Sequence, residues 1–205
     1  MEAMHSENRA ATLRLFVAIA IPDSVRNEMI RVQQELKPLA LGDVRWVNPE
    51  QLHLTLKFLG NVPAGSITEV KHSLAEACAG VRPFHLRANG VGFFPNARSP
   101  RVVWAGIEDD ENVLAGLQVQ VERLLAPFTE KPGAESFHAH ATLGRFQKYR
   151  RHKTEGLLQR ALKLGGHVFG GWRVEEAGLF QSELSSNGAR HTRVAVFPFD
   201  AKLPA

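Results

Sequence analysis

From Gln51 to Gly60 the chain reads QLHLTLKFLG, with Leu52, Leu54, Leu56 and Phe58 alternating against His53, Thr55 and Lys57. Successive side chains of an extended backbone point to opposite faces, so this segment is predicted as a strand with one apolar face and one reactive face. Upstream, positions 13–21 are rich in strand formers and close at Pro22. Asp23 can then cap a helix whose apolar positions Val25, Met29, Val32, Leu36 and Leu39 recur at steps of three and four. A second helix over 66–79 uses Ile67, Val70, Leu74 and Ala77 and ends at Gly80. A strand from Phe84 runs into the Gly-Pro-rich loop of 92–100.

The second half repeats this order. A strand is predicted over 101–107, a helix over 110–128 with Val113, Leu117, Val121, Leu124 and Phe128 inward, and a strand over 138–145. A helix over 154–164 and strands over 174–184 and 192–197 follow, the last two joined by a turn containing Asn187-Gly188. The expected helix caps differ by 110 − 23 = 87 positions, and the histidines of the two HxTL segments by 140 − 53 = 87. A repeat this long and in two copies suggests a duplication giving two similar lobes. Residues 1–10 lack periodicity and read as a flexible N-terminal tail, leaving 11–205 as a single two-lobed domain.

Composition narrows the setting. A chain of 205 residues, 44% hydrophobic, can bury one substantial core. Cys78 is the single cysteine, so no intramolecular disulfide forms and a reducing cytoplasm is expected. The apolar run at 15–21 is far shorter than the roughly 20 residues that cross a bilayer, so no membrane association is expected. A net charge of +4 makes an anionic partner plausible; KYRRHK at 148–153 is the densest basic cluster and reads as a solvated loop.

The chemistry concentrates in His53-Leu54-Thr55-Leu56 and His140-Ala141-Thr142-Leu143. In a strand, residues i and i+2 share a face, so each histidine stands beside a threonine hydroxyl. Two such strands related by a pseudo-twofold axis bring both pairs to one cleft. In-line displacement at phosphorus needs a base on the attacking oxygen and an acid on the leaving one, and histidine, with an ordinary pKa near 6.5, fills either role. The threonines can hydrogen-bond the non-bridging oxygens as charge builds. Lys57 shares the expected face of His53 and can add positive potential. Phe16 and Phe58 are expected in the core. Two other readings compete. His138 and His140 form an HxH able to ligate a transition metal, although no third ligand stands at a recognisable spacing. A non-catalytic RNA- or nucleotide-binding module would be expected to erode one HxT copy, and both are intact.

The segments RLFVAIAIP, WVNPEQLHLTLKFLG, FFPNARSPRVVWAG, HATLGR and SELSSNGARHTRVAVFP resemble, in the same order, those of the 2H phosphoesterase superfamily. Within it they are similar to the bacterial and archaeal RNA 2′,3′-cyclic phosphodiesterases, also known as 2′-5′ RNA ligases. The resemblance runs from about residue 14 to 198. It implies an α+β fold of two pseudo-symmetric lobes, antiparallel sheets flanking a central cleft and helices outside, with no metal or other cofactor. It implies opening of a 2′,3′-cyclic phosphate on an RNA end to a 2′-phosphomonoester, with His53 protonating the departing 3′ oxygen and His140 activating water. A 2′-5′ ligase activity, or action on another cyclic nucleotide or a 2′-5′-linked oligonucleotide, fits the same site. Arg145, in the family pattern HxTLxR, would help hold the phosphate; strict alternation turns it away from His140 unless the strand ends or twists near Gly144. The family commonly has proline before the second motif histidine, where this chain has Ala139. RNA ends or small cyclic nucleotides are the expected partners, and the protein is expected to act as a monomer.

Overall fold

The structure, a computed structural model, describes residues 11–129, 136–147, 151–185 and 188–200. The expected tail, the basic side chains of 148–153 and Asn187 lie outside the described residues. Among the described residues nine strands and four α-helices follow one another as β1 (Thr12–Ala20), α1 (Asp23–Leu36), β2 (Val44–Trp46), β3 (His53–Pro63), α2 (Ile67–Cys78), β4 (Phe84–Phe94), β5 (Val102–Glu108), α3 (Val113–Leu125), β6 (His140–Phe146), α4 (Arg151–Lys163), β7 (Val168–Val174), β8 (Glu176–Ser185) and β9 (Gly188–Pro198). Short 3₁₀ turns lie between several of them.

The helices form where the apolar spacing places them, but the buried stripes differ in part from those expected: α1 buries Val25, Met29, Val32 and Leu36, with Leu39 beyond its end and exposed, and α3 buries Leu114, Leu117, Val121 and Leu125, leaving Val113, Leu124 and Phe128 half-buried. Their starts differ from expectation in detail. Asp23 is the first residue of α1 rather than its cap, and bonds Arg26. At α3 the capping carboxylate is Asp109, which accepts from the backbone of Glu111 and Leu114. Two strands were not expected: β2 is only three residues long, and β7 carries Gly170 and Gly171, which break its alternation.

The strands form one antiparallel sheet in the order β7-β4-β5-β6-β3-β1-β8-β9, with β2 added to β6. Read inward from both ends, the order is mirrored about the β6–β3 seam. The two wings on either side are the two lobes, and a single pair, Leu54 opposite Ala141, joins them. These residues are 141 − 54 = 87 apart, so the seam falls at corresponding points of the two halves. Each wing draws on both halves of the chain. Helices α2 and α3 cover the wing of β3, β1, β8 and β9, whereas α1 and α4 cover the wing of β4, β5, β6 and β7. The helix-side faces of both wings and the helix stripes make one core, leaving the opposite, concave face of the sheet as a cleft.

Candidate active site

At the seam Leu54 and Ala141 are fully buried against the helices. Their neighbours His53, Thr55, His140 and Thr142 therefore all point to the cleft, where each is partly buried. Both histidines are anchored alike. Nδ1 of His53 lies 2.6 Å from the carbonyl oxygen of Gln51, and Nδ1 of His140 lies 2.6 Å from that of His138. A carbonyl can only accept, so Nδ1 carries the hydrogen in both rings and Nε2 is the nitrogen that exchanges a proton.

Burial pushes the pKa of His53 down from 6.5 to about 4; its bond to Gln51 opposes this, and the charges of His191, His140 and Arg145 add to it. The pKa of His140 is lowered as well, chiefly by burial and further by Arg145 and His138. The two rings are thus close enough for a charge on His140 to be felt by His53, and Arg145 acts on both.

Alternation fails in both motif strands at the same place. Thr55 and Lys57 face consecutive residues of β1, Ala18 and Val17, so Leu56 is an extra residue, a β-bulge. Likewise Thr142 and Gly144 face Trp104 and Val103 of β5, leaving Leu143 bulged. Each bulge reverses the faces beyond it. In β6 this turns Arg145 to the cleft, opposite Val102, and sends Gly144 to the packed side, where a Cβ would meet Val44 Cγ1 at 2.7 Å. Arg45 on β2 stands opposite Arg145 and shares its face.

In β3 the same reversal corrects two expectations. Lys57 is not on the cleft face: it turns to the helix side, its side chain 2% exposed and ion-paired with Glu122 of α3. Phe58, expected in the core, is 58% exposed on the cleft side, opposite Phe16. Phe16 is buried as expected, its ring centroid 4.9 Å from that of His53.

Sequence reasoning also missed the rings that seat the histidines. His191 on β9 lies 5.3 Å from His53 and 4.8 Å from Phe16 between centroids. Phe94 stands edge-on to His140 at 4.8 Å, and Trp104 is 6.5 Å away. Trp104 was legible as an aromatic at an alternating position of RVVWAG, whereas His191 had no spacing to the motifs. His138 contacts Ser136 Oγ at 3.3 Å. Among the described residues no group of three His, Cys, Asp or Glu side chains is placed to hold a metal ion, and no helix is long and apolar enough to cross a membrane.

Comparison with known proteins brings these features together. The family described as LigT like phosphoesterase matches residues 19–104 and again 107–191. The chain is 32% identical over 185 residues to the RNA 2′,3′-cyclic phosphodiesterase of Methanothermobacter thermautotrophicus, covering 90% of this chain and 98% of that one. It is 34% identical over 185 residues to the enzyme of the same name from Archaeoglobus fulgidus, covering 90% and 99%. Among solved structures, E. coli LigT complexed with 3′-AMP superposes with a TM-score of 0.74 at 25% identity, covering 92% of this chain and 99% of that one; LigT has also been crystallised with ATP and with NADP+.

Proposed function

This chain belongs to the LigT-like phosphoesterase family, and from that membership and the paired histidines we propose how its cleft opens a cyclic phosphate. The protein is an RNA 2′,3′-cyclic phosphodiesterase. The observation that carries the mechanism is the matched anchorage of His53 and His140, whose Nδ1–H groups are spent on carbonyls 138 − 51 = 87 positions apart. Both Nε2 atoms are thereby left for proton transfer in one cleft.

The phosphate lies between the two rings. His140 Nε2 takes a proton from water as the water oxygen bonds to phosphorus, the bond from phosphorus to the 3′ oxygen breaks, and His53 Nε2 gives that oxygen its proton. A 2′-phosphomonoester remains, and the pair resets by passing one proton to solvent and gaining one. To donate, His53 must carry a proton that burial resists in the empty cleft. The phosphate anion seated beside it supplies the opposing charge that favours the imidazolium. Thr55 and Thr142 hydrogen-bond the non-bridging oxygens, and Arg145 with Arg45 supplies positive charge for the phosphates of the RNA end.

An oligonucleotide ending in a 2′,3′-cyclic phosphate, incubated with the protein in chelator, should yield the 2′-phosphomonoester. His53→Ala and His140→Ala should each lower turnover by roughly 10²- to 10⁴-fold with the fold retained, as circular dichroism can verify. A 3′-phosphate product would reverse the assignment of the leaving oxygen, and a variant within threefold of wild type would remove its histidine from the chemistry.

A further inference from the structure

The seam carries opposite charges at its two ends. Along β6 the cleft-facing positions run His140, Thr142 and, past the bulge, Arg145, and β2 places Arg45 directly opposite Arg145. Both arginines are exposed, and among the described residues neither guanidinium meets a carboxylate. Other strand arginines do: Arg87 meets Glu108, Arg173 meets Glu175 and Arg193 meets Glu176. Like charges directly opposite on paired strands repel, and arginine cannot shed its proton to escape the repulsion. At the other end of the seam, β5 pairs Gly106 with His140 and continues to Glu108, after which Asp109, Asp110 and Glu111 follow in the chain. Glu108 is held by Arg87 and Asn89, and Asp109 caps α3.

We propose that Arg45 is the seat of the phosphodiester one nucleotide upstream of the reacting phosphate, so that the RNA leaves the cleft over β2 and a chain end is preferred to a mononucleotide. The assignment rests on the phosphodiesterase reading, which puts the cyclic phosphate between the two histidines with Arg145 beside it. The two arginines differ in their reach. Arg145 is among the charges that bear on both histidines, whereas Arg45, one strand spacing of about 5 Å to the side, is not. Charge counting favours a second anion. A cyclic phosphate is a diester with one negative charge, which the proton on His53 already balances. The guanidinium groups of Arg145 and Arg45 remain, and an upstream phosphodiester brings a further negative charge to the place where they repel each other. Its non-bridging oxygens suit the planar fork of an arginine, which donates two parallel N–H groups. The acidic run from Glu108 to Glu111 repels a chain leaving by the opposite end.

The test compares a nucleoside 2′,3′-cyclic phosphate bearing a free 5′ hydroxyl with the same compound bearing a 5′ methyl phosphate, a diester with one negative charge and no second base. Wild-type kcat/KM should favour the 5′-phosphorylated compound by roughly 10- to 100-fold, the worth of a hydrogen bond to a charged group. Arg45→Gln should bring that ratio close to one, mainly through KM, and flatten the salt dependence for the 5′-phosphorylated compound by the share of one phosphate contact. Arg145→Gln should slow both compounds alike and keep the ratio. Equal rates on the two compounds in wild type, a ratio that survives in Arg45→Gln, or one lost in Arg145→Gln alone would overturn the assignment. Calorimetric binding of adenosine 2′-phosphate against adenosine 2′,5′-bisphosphate reads the subsite without turnover. Tighter binding of the bisphosphate that is lost in Arg45→Gln would uphold the subsite even if no cyclic phosphate were hydrolysed, and that failure would then fall on the phosphodiesterase reading alone.

Discussion

A histidine whose Nδ1–H is committed to a carbonyl has one nitrogen left to work with, and in this cleft both working nitrogens sit where burial and neighbouring positive charge disfavour a proton. Because kcat/KM reports the free enzyme, and both groups are lowered from 6.5, the bell-shaped profile of kcat/KM should peak on the acid side of pH 6.5. The profile of kcat, which reports the complex, should lie higher because the bound phosphate favours the protonated ring. Arg145→Ala should raise KM, weaken the salt dependence of binding and move the kcat/KM optimum upward, since Arg145 lowers both rings. An optimum above pH 7 in the wild type would contradict this account. Stability follows from the same displacement. His53 is neutral in the folded protein, while an unfolded histidine gains its proton below about 6.5, so this contribution is present above pH 6.5 and is lost as pH falls toward about 4. Urea midpoints at pH 7 and pH 5 should therefore converge in His53→Gln relative to wild type.

At the scale of elements, the strands that carry the chemistry are regular only as far as their threonines. A bulge adds one residue without changing composition, so the period-two pattern of QLHLTLKFLG gave no sign that the faces of Lys57 and Phe58 are exchanged. The same device makes Arg145 usable, and here the sequence did leave a trace, because the family pattern required Arg145 on a face that alternation denied it. The β6 bulge is fixed from outside the strand. The carbonyl of Leu143 accepts both from the backbone of Val47 and from the buried side chain of Gln33 on α1, which also bonds the Val47 carbonyl. Replacing Gln33 by Leu should cost about 1–3 kcal/mol in chemical denaturation and raise KM in the manner of Arg145→Ala; an unchanged KM would show that Gln33 supports the fold but not the aim of Arg145. Lys57→Ala should behave oppositely, losing about 2 kcal/mol as its buried ion pair with Glu122 is broken while KM stays within a factor of two. Helices, caps aside, were legible because a stripe of four or five apolar residues outweighs local detail. The strand β7 was not, because its pairing is made by backbone while two glycines interrupt its side-chain pattern.

For the whole molecule, the helices are exchanged between wings: α1 leaves the first half to cover β7, and α3 leaves the second to cover β3. The apolar stripe of either helix has its main surface in a wing completed by the other half, so neither half can bury its own hydrophobic surface. If the backbone is severed between Arg98 and Ser99, in the exposed turn where both amides bond Asn96, each piece alone should lack a cooperative unfolding transition. Mixed in equal amounts, the pieces should assemble and recover hydrolysis, with a midpoint that rises with protein concentration because the union is now bimolecular. A first piece that folded alone as a monomer would show that its wing needs no strands or helix from the other. The exchange thus makes the catalytic cleft a property of the joined halves, and turns a single exposed peptide bond into a place where the enzyme can be divided into two silent parts and switched on by bringing them together.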